Sequence, residues 1–152
     1  MAVFVINEWL WSDVPGHNGP HNQREGFKVI VKLSTSQHKI VVVEGSAFDQ
    51  KAWKLCKSTA TNPMLVQRIV GALYVPTLRQ NSDRCLLLKQ EALPAIPPEL
   101  ASVTNPDDHY LVQAQLAVPG ATLVTTDGDL CQAVNRAGLA CITREEFLSN
   151  YL

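Results

Sequence analysis

Several acidic residues stand where chemistry is commonly done. Asp127 and Asp129 follow the apolar run ATLVTT, Asp107 and Asp108 precede an Ala/Leu-rich run, and Asn7 and Glu8 close the apolar run AVFVI. Carboxylates gathered in one pocket cannot all stay ionised without a counter-charge, so they take up protons or bind a hard cation. An oxygen-only donor set suits Mg2+ or Mn2+. Water on such an ion becomes a nucleophile, while the ion stabilises charge on a phosphoryl group. Each acid also has an ordinary structural role. Asp107 and Asp108 suit a helix N-terminus, Asp127 can cap the helix that follows, Asp129 is then a first-turn acid, and Glu8 and Glu44 end strands. Spacing alone leaves both readings open.

The cations offer a complementary feature. Lys51, Lys54 and Lys57 recur at i, i+3 and i+6, a stripe able to contact phosphates or simply to face water. His17 and His21 lie four apart, but in a Gly/Pro-rich stretch rather than a helical one. Trp9, Trp11 and Trp53 are expected in the core or an interface rather than as base-stacking platforms. No glycine-rich phosphate loop, nucleophile elbow or dinucleotide fingerprint is present.

The elements that must position these residues are legible in part. The stretch 2–7 reads as a buried strand and 15–23 as a loop dense in turn formers. The stretch 24–36 fits both strand alternation and a helix face, and its length tilts it to helix. The run 38–45 reads as a strand ending at Gly45, with Ser46 capping a helix to about residue 57. Asn62-Pro63 opens a further helix whose apolar face is Leu65, Val66, Ile69, Val70 and Leu73. A short element is expected at 83–88, and the proline-rich stretch 92–106 is a connection. Then follow a helix at 105–118, a strand at 121–125, a helix from Asp127 to near Gly138, a strand at 139–142 and a helix opened by the capping box Thr143-x-x-Glu146. Short apolar strands alternating with helices predict an α/β fold with a central parallel sheet covered by helices on both faces.

The 152 residues are enough for one domain with its own core, spanning 1–152. Hydrophobic residues at 46% and charged residues at 18% exclude a disordered or fibrous chain. No apolar run is long enough to cross a membrane. The N-terminal stretch lacks the basic region of a signal peptide, and the four cysteines form no C-x-x-C pair, so reduced thiols and a cytoplasmic location are expected. Net charge is −1, but residues 1–90 carry 11 Lys/Arg and 6 Asp/Glu while residues 91–152 carry 2 and 8. A basic rim beside an acidic pocket suits a metal-dependent enzyme acting on a phosphodiester.

The segment PDDHYLVQAQLAVPGATLVTTDGDL, residues 106–130, resembles the PIN-domain family in three features. An Asp opens a helix, the helix is Ala-rich, and a strand reading "lvT-x-D-x-D" follows. Asp108 stands 19 residues before Asp127, as in that pattern, and GLACITREEFL (138–148) is similar to the family's closing strand and helix. The resemblance is specific over about 45 C-terminal residues and loose through the middle. It implies a small α/β nuclease fold and Mg2+- or Mn2+-dependent cleavage of RNA. Asp108 and Asp127 would be metal ligands and Asp129 a supporting one, with a protein antitoxin and a homodimer as implied partners.

The chain departs from the family pattern at two places. The first-strand Asp falls on Asn7, which would be a neutral metal ligand and removes one charge from the site, with Glu8 adjacent as a substitute. The second acid, a Glu in an early helix, falls near Lys51, Gln50 or Asp49. These departures imply the alternative of a PIN-fold RNA-binding or protein-interaction module that has lost catalysis.

Overall fold

The computed structural model describes residues 1–57 and 63–152. Five strands form one parallel sheet: β1 (Val3–Ile6), β2 (Lys39–Val43), β3 (Cys85–Leu88), β4 (Thr122–Thr125) and β5 (Cys141–Thr143), in the order β3-β2-β1-β4-β5. Every pairing is parallel, with Phe4 opposite both Ile40 and Thr122. Side chains alternate across a strand, so each central strand feeds two cores. Phe4, Ile6, Ile40, Val42 and Val124 face one, with Phe147, Leu10 and Tyr74. Val5, Val41, Val43 and Leu123 face the other, with Leu111, Val112 and Leu130. Each such side chain contributes about 1.5–3 kcal/mol by leaving water. The expected α/β architecture, a single compact unit, is the one observed.

The helices are α1 (Leu10–Asp13), α2 (Gly19–Thr35), α3 (Ala47–Cys56), α4 (Pro63–Gln67), α5 (Pro98–Ala101), α6 (His109–Ala117), α7 (Gly128–Arg136) and α8 (Arg144–Tyr151). The expected 15–23 loop is shorter than read: Pro20 occupies the first turn of α2, where its missing N–H and fixed φ are tolerated. Ser46 caps α3 by accepting from Asp49 N, and Thr143 with Glu146 closes the expected capping box of α8. The expected Asn62 cap lies outside the described residues.

Beyond α4 the chain continues as a π-helix over Arg68–Arg79, through Pro76. Proline would be expected to end this helix. Instead the turns widen and the Thr77 hydroxyl bonds the Leu73 carbonyl. The buried residues become Val66, Val70, Tyr74 and Leu78, spaced by four, whereas Leu65 is exposed.

Two buried ion pairs fix the layers. Arg144, at the start of α8, reaches Asp13 in α1 at 2.8 Å and Glu25 in α2 at 3.0 Å. Arg79 binds Asp49 through two hydrogen bonds of 2.7 and 3.1 Å. Trp9 and Trp11 are core residues, as expected. Trp53 lies on the surface with the Arg79 guanidinium 5.7 Å above its ring. All four cysteines are free thiols, and burial pushes Cys85 up to about 11. No described helix is long and apolar enough to cross a membrane.

Candidate functional site

In a parallel sheet the crevice that takes ligands opens where successive connections leave to opposite sides. The order β3-β2-β1-β4-β5 puts that point between β1 and β4. Asn7 and Glu8 follow β1 there, and Asp127 follows β4. The helix α6 runs back against the strands into β4, so its N-terminus lies at the same end of the sheet. Asp108 occupies its N-cap position without using its side chain as a cap. Three elements thus deliver Glu8, Asp108 and Asp127 to one crevice.

The electrostatics of Asp108 register this meeting. Its carboxyl is held above the ordinary carboxylate value, first by burial, then by the negative charges of Glu8, Asp127 and Asp107; His109 opposes weakly. None of Glu8, Asp108 and Asp127 belongs to an ion pair among the described residues. The cluster therefore carries negative charge without a protein counter-ion.

The strand ends are tied by Thr125, a fully buried residue that closes β4. Its hydroxyl accepts from Asn7 Nδ2 at 3.1 Å and from the Asp127 backbone N–H at 3.0 Å. Asn7 Oδ1 turns back to accept from the Glu8 N–H at 2.7 Å. Asp127 Oδ1 caps α7, accepting from Asp129 N at 3.0 Å and Leu130 N at 3.2 Å. Its Oδ2 makes no protein hydrogen bond among the described residues.

Tyr110, two residues into α6, completes the wall. Its hydroxyl is buried and lies beside the Glu8 carboxylate and the Phe48 N–H, without a hydrogen bond of good geometry to either. Burial first and Glu8 second hold its phenol strongly protonated. Sequence reading missed Thr125 and Tyr110. A polar residue closing an otherwise apolar strand, and a Tyr one helical step past Asp108, were the available signals.

The other expected residues are dispersed. Asp129 lines a separate groove between α5 and α7, with Glu99, Val103 and Arg136. The acid on α3, Asp49, is buried and held by Arg79 and the Gly45 N–H, so it adds no free carboxylate to the crevice. Lys51, Lys54 and Lys57 are exposed along α3. Glu44 is exposed past β2, and its carbonyl accepts from Gln90. His21 pairs with Glu25 at 3.3 Å in the first turns of α2.

A divalent cation would need oxygens converging on one point. Among the described residues no three His, Cys, Asp or Glu side chains converge closely enough to hold a metal. The donor type, unpaired carboxylate oxygen, is the one hard cations take, but no assembled site stands among the described residues. No family model matches the chain, nor does any curated protein or solved structure.

Proposed function

We propose that the protein is a PIN-like, metal-dependent endoribonuclease that hydrolyses RNA phosphodiesters with Mg2+ or Mn2+. The observation that carries this reading is the meeting of Glu8, Asp108 and Asp127, from three elements and without a counter-ion, at the β1/β4 switch point. A bound ion supplies an activated water and charge stabilisation at the phosphoryl group. Asp108 and Asp127 Oδ2 are the ligands offered, with Glu8 beside them; Asp129, which faces the α5/α7 groove, is left out of the set. Asn7 and Thr125 hold the two strand ends in register, and Tyr110 keeps the Glu8 side of the crevice dry. Lys51, Lys54 and Lys57 contact the RNA backbone electrostatically. The free thiols suit action in the cytoplasm.

A second reading, an RNA-binding or protein-interaction module without catalysis, is favoured by Asn7 and Asp49. The first offers no charge and directs its oxygen to the Glu8 N–H; the second is neutralised by Arg79.

Thermal unfolding separates the two. A metal that binds only the folded chain stabilises it by about 2.7 kcal/mol at a hundred times its dissociation constant. Mn2+ should raise the melting temperature of the wild type and leave Asp127→Asn and Asp108→Asn unmoved. An equal response in all three proteins would remove the crevice as the metal site.

A further inference from the structure

One strand over from the carboxylates, a cavity of about 360 Å3 opens at the carboxyl end of β2. Its walls come from Val43, the Ser46–Ala47 start of α3, Gln90 and Leu93 beyond β3, and Tyr110 and Gln113 of α6. None of the lining side chains is charged. Gln90 Nε2 is held by the Glu44 carbonyl at 3.1 Å, and Gln113 Nε2 by the Pro94 carbonyl at 3.0 Å. Each amide thereby has one N–H engaged, while its Oε1 and second N–H keep no protein partner among the described residues. Gly45, at φ +75, lets Gln90 pack close, since an added Cβ would meet its Nε2 at 3.3 Å. The buried Tyr110 hydroxyl is likewise unpartnered.

Two carboxamides with free donors and acceptors over a lining that mixes apolar and polar groups, with no cation, do not suit a phosphate. They suit a neutral, flat ligand with several donors and acceptors on one edge, as Asn and Gln side chains read bases. Tyr110 forms the partition between this cavity and the crevice, because Glu8 lies beside its hydroxyl. Adjacent strands are about 4.8 Å apart, so a phosphate at the carboxylates leaves a neighbouring base within reach of the cavity.

We propose that this cavity is a nucleobase subsite in which Gln90 and Gln113 read one base flanking the phosphodiester cut at Glu8, Asp108 and Asp127. The assignment rests on the ribonuclease reading for its role and on the cavity alone for its ligand, and the test separates the two. Cleavage sites are mapped by end sequencing on a random-sequence RNA pool in Mn2+. The wild type should prefer one base at a fixed position beside the cut, and Gln113→Leu should flatten that preference about ten-fold. Ala47→Leu, which fills the cavity from the exposed start of α3, should do the same with both glutamines unreplaced.

A second arm needs no cleavage. The four nucleosides, which lack phosphate, are titrated to millimolar levels into 15N-labelled protein in EDTA. At least one should shift the Gln90 and Gln113 side-chain amide signals, and Ala47→Leu should remove that shift. Nucleoside binding by a protein that cuts no RNA would keep the subsite and refute the ribonuclease reading. Amide signals unmoved by every nucleoside, or a cleavage preference unaltered in both variants, would overturn the subsite.

Discussion

Asp127 does two jobs that substitution can separate. Its Oδ1 accepts two backbone N–H groups at the start of α7, and its charge faces Asp108. Asp127→Ala removes both. Losing an N-cap costs about 1 kcal/mol, in a range of about 0.5–2. For a chain of this length that lowers the melting temperature by about 2–4 °C. Asp127→Asn keeps an oxygen in the capping position, and Asn caps as well as Asp. It gives up a macrodipole interaction of about 0.3–1 kcal/mol, against relief of the repulsion with Asp108 and Glu8. The two changes oppose one another, so the net shift should be under about 1 °C. Scanning calorimetry and urea unfolding in EDTA measure the stabilities, and carbon-detected NMR follows the Asp108 carboxyl. Both variants should bring the Asp108 titration down toward the ordinary carboxylate value. An Asn variant as unstable as the Ala variant would refute the capping account. An Asp108 titration unmoved in both would refute the clustering.

Further outcomes follow from the same geometry. Asp108 has a raised folded-state value, so its ionisation works against folding. That cost is absent below the ordinary carboxylate range, appears as pH rises through it, and is complete above the raised value. Asp108→Asn should therefore stabilise the metal-free protein at neutral pH and leave it unchanged in strong acid, as read by urea midpoints at the two pH values. Arg144→Met strands the buried Asp13 carboxylate and should cost about 3–5 kcal/mol in chemical unfolding. Replacing Lys51, Lys54 and Lys57 together by Ala should make the salt dependence of RNA binding shallower by about 2 in log K against log salt; an unchanged slope would remove α3 from the RNA path.

The C-terminal part of the fold was the most legible in sequence because its local signals agree. Asp127 and the Thr143/Glu146 box cap their helices, Gly120 and Gly138 take positive φ after helix ends, and short apolar strands lie between. Between residues 63 and 79 those signals conflict. Pro76 argues for a stop, and only tertiary packing of Tyr74 and Leu78 into the core carries the helix past it. The acids of the crevice were visible as residue types at strand ends. Their partners were not. Asp49 could be read as a ligand until Arg79, 30 residues away, is seen to hold it. The Asn7–Thr125 bond spans 118 residues and leaves no local pattern. Asp129 stands two residues from Asp127, yet from the first turn of α7 it faces the α5/α7 groove.

The crevice at the β1/β4 switch point is proposed to cut RNA with a divalent ion. Labelled single-stranded and hairpin RNAs incubated with purified protein in Mn2+ or Mg2+, against EDTA and Asp127→Asn, test it most directly. Cleavage should need the metal and disappear in the stably folded Asn variant. Cleavage that persists in Asp127→Asn, or intact RNA with the wild type in both metals, would contradict it.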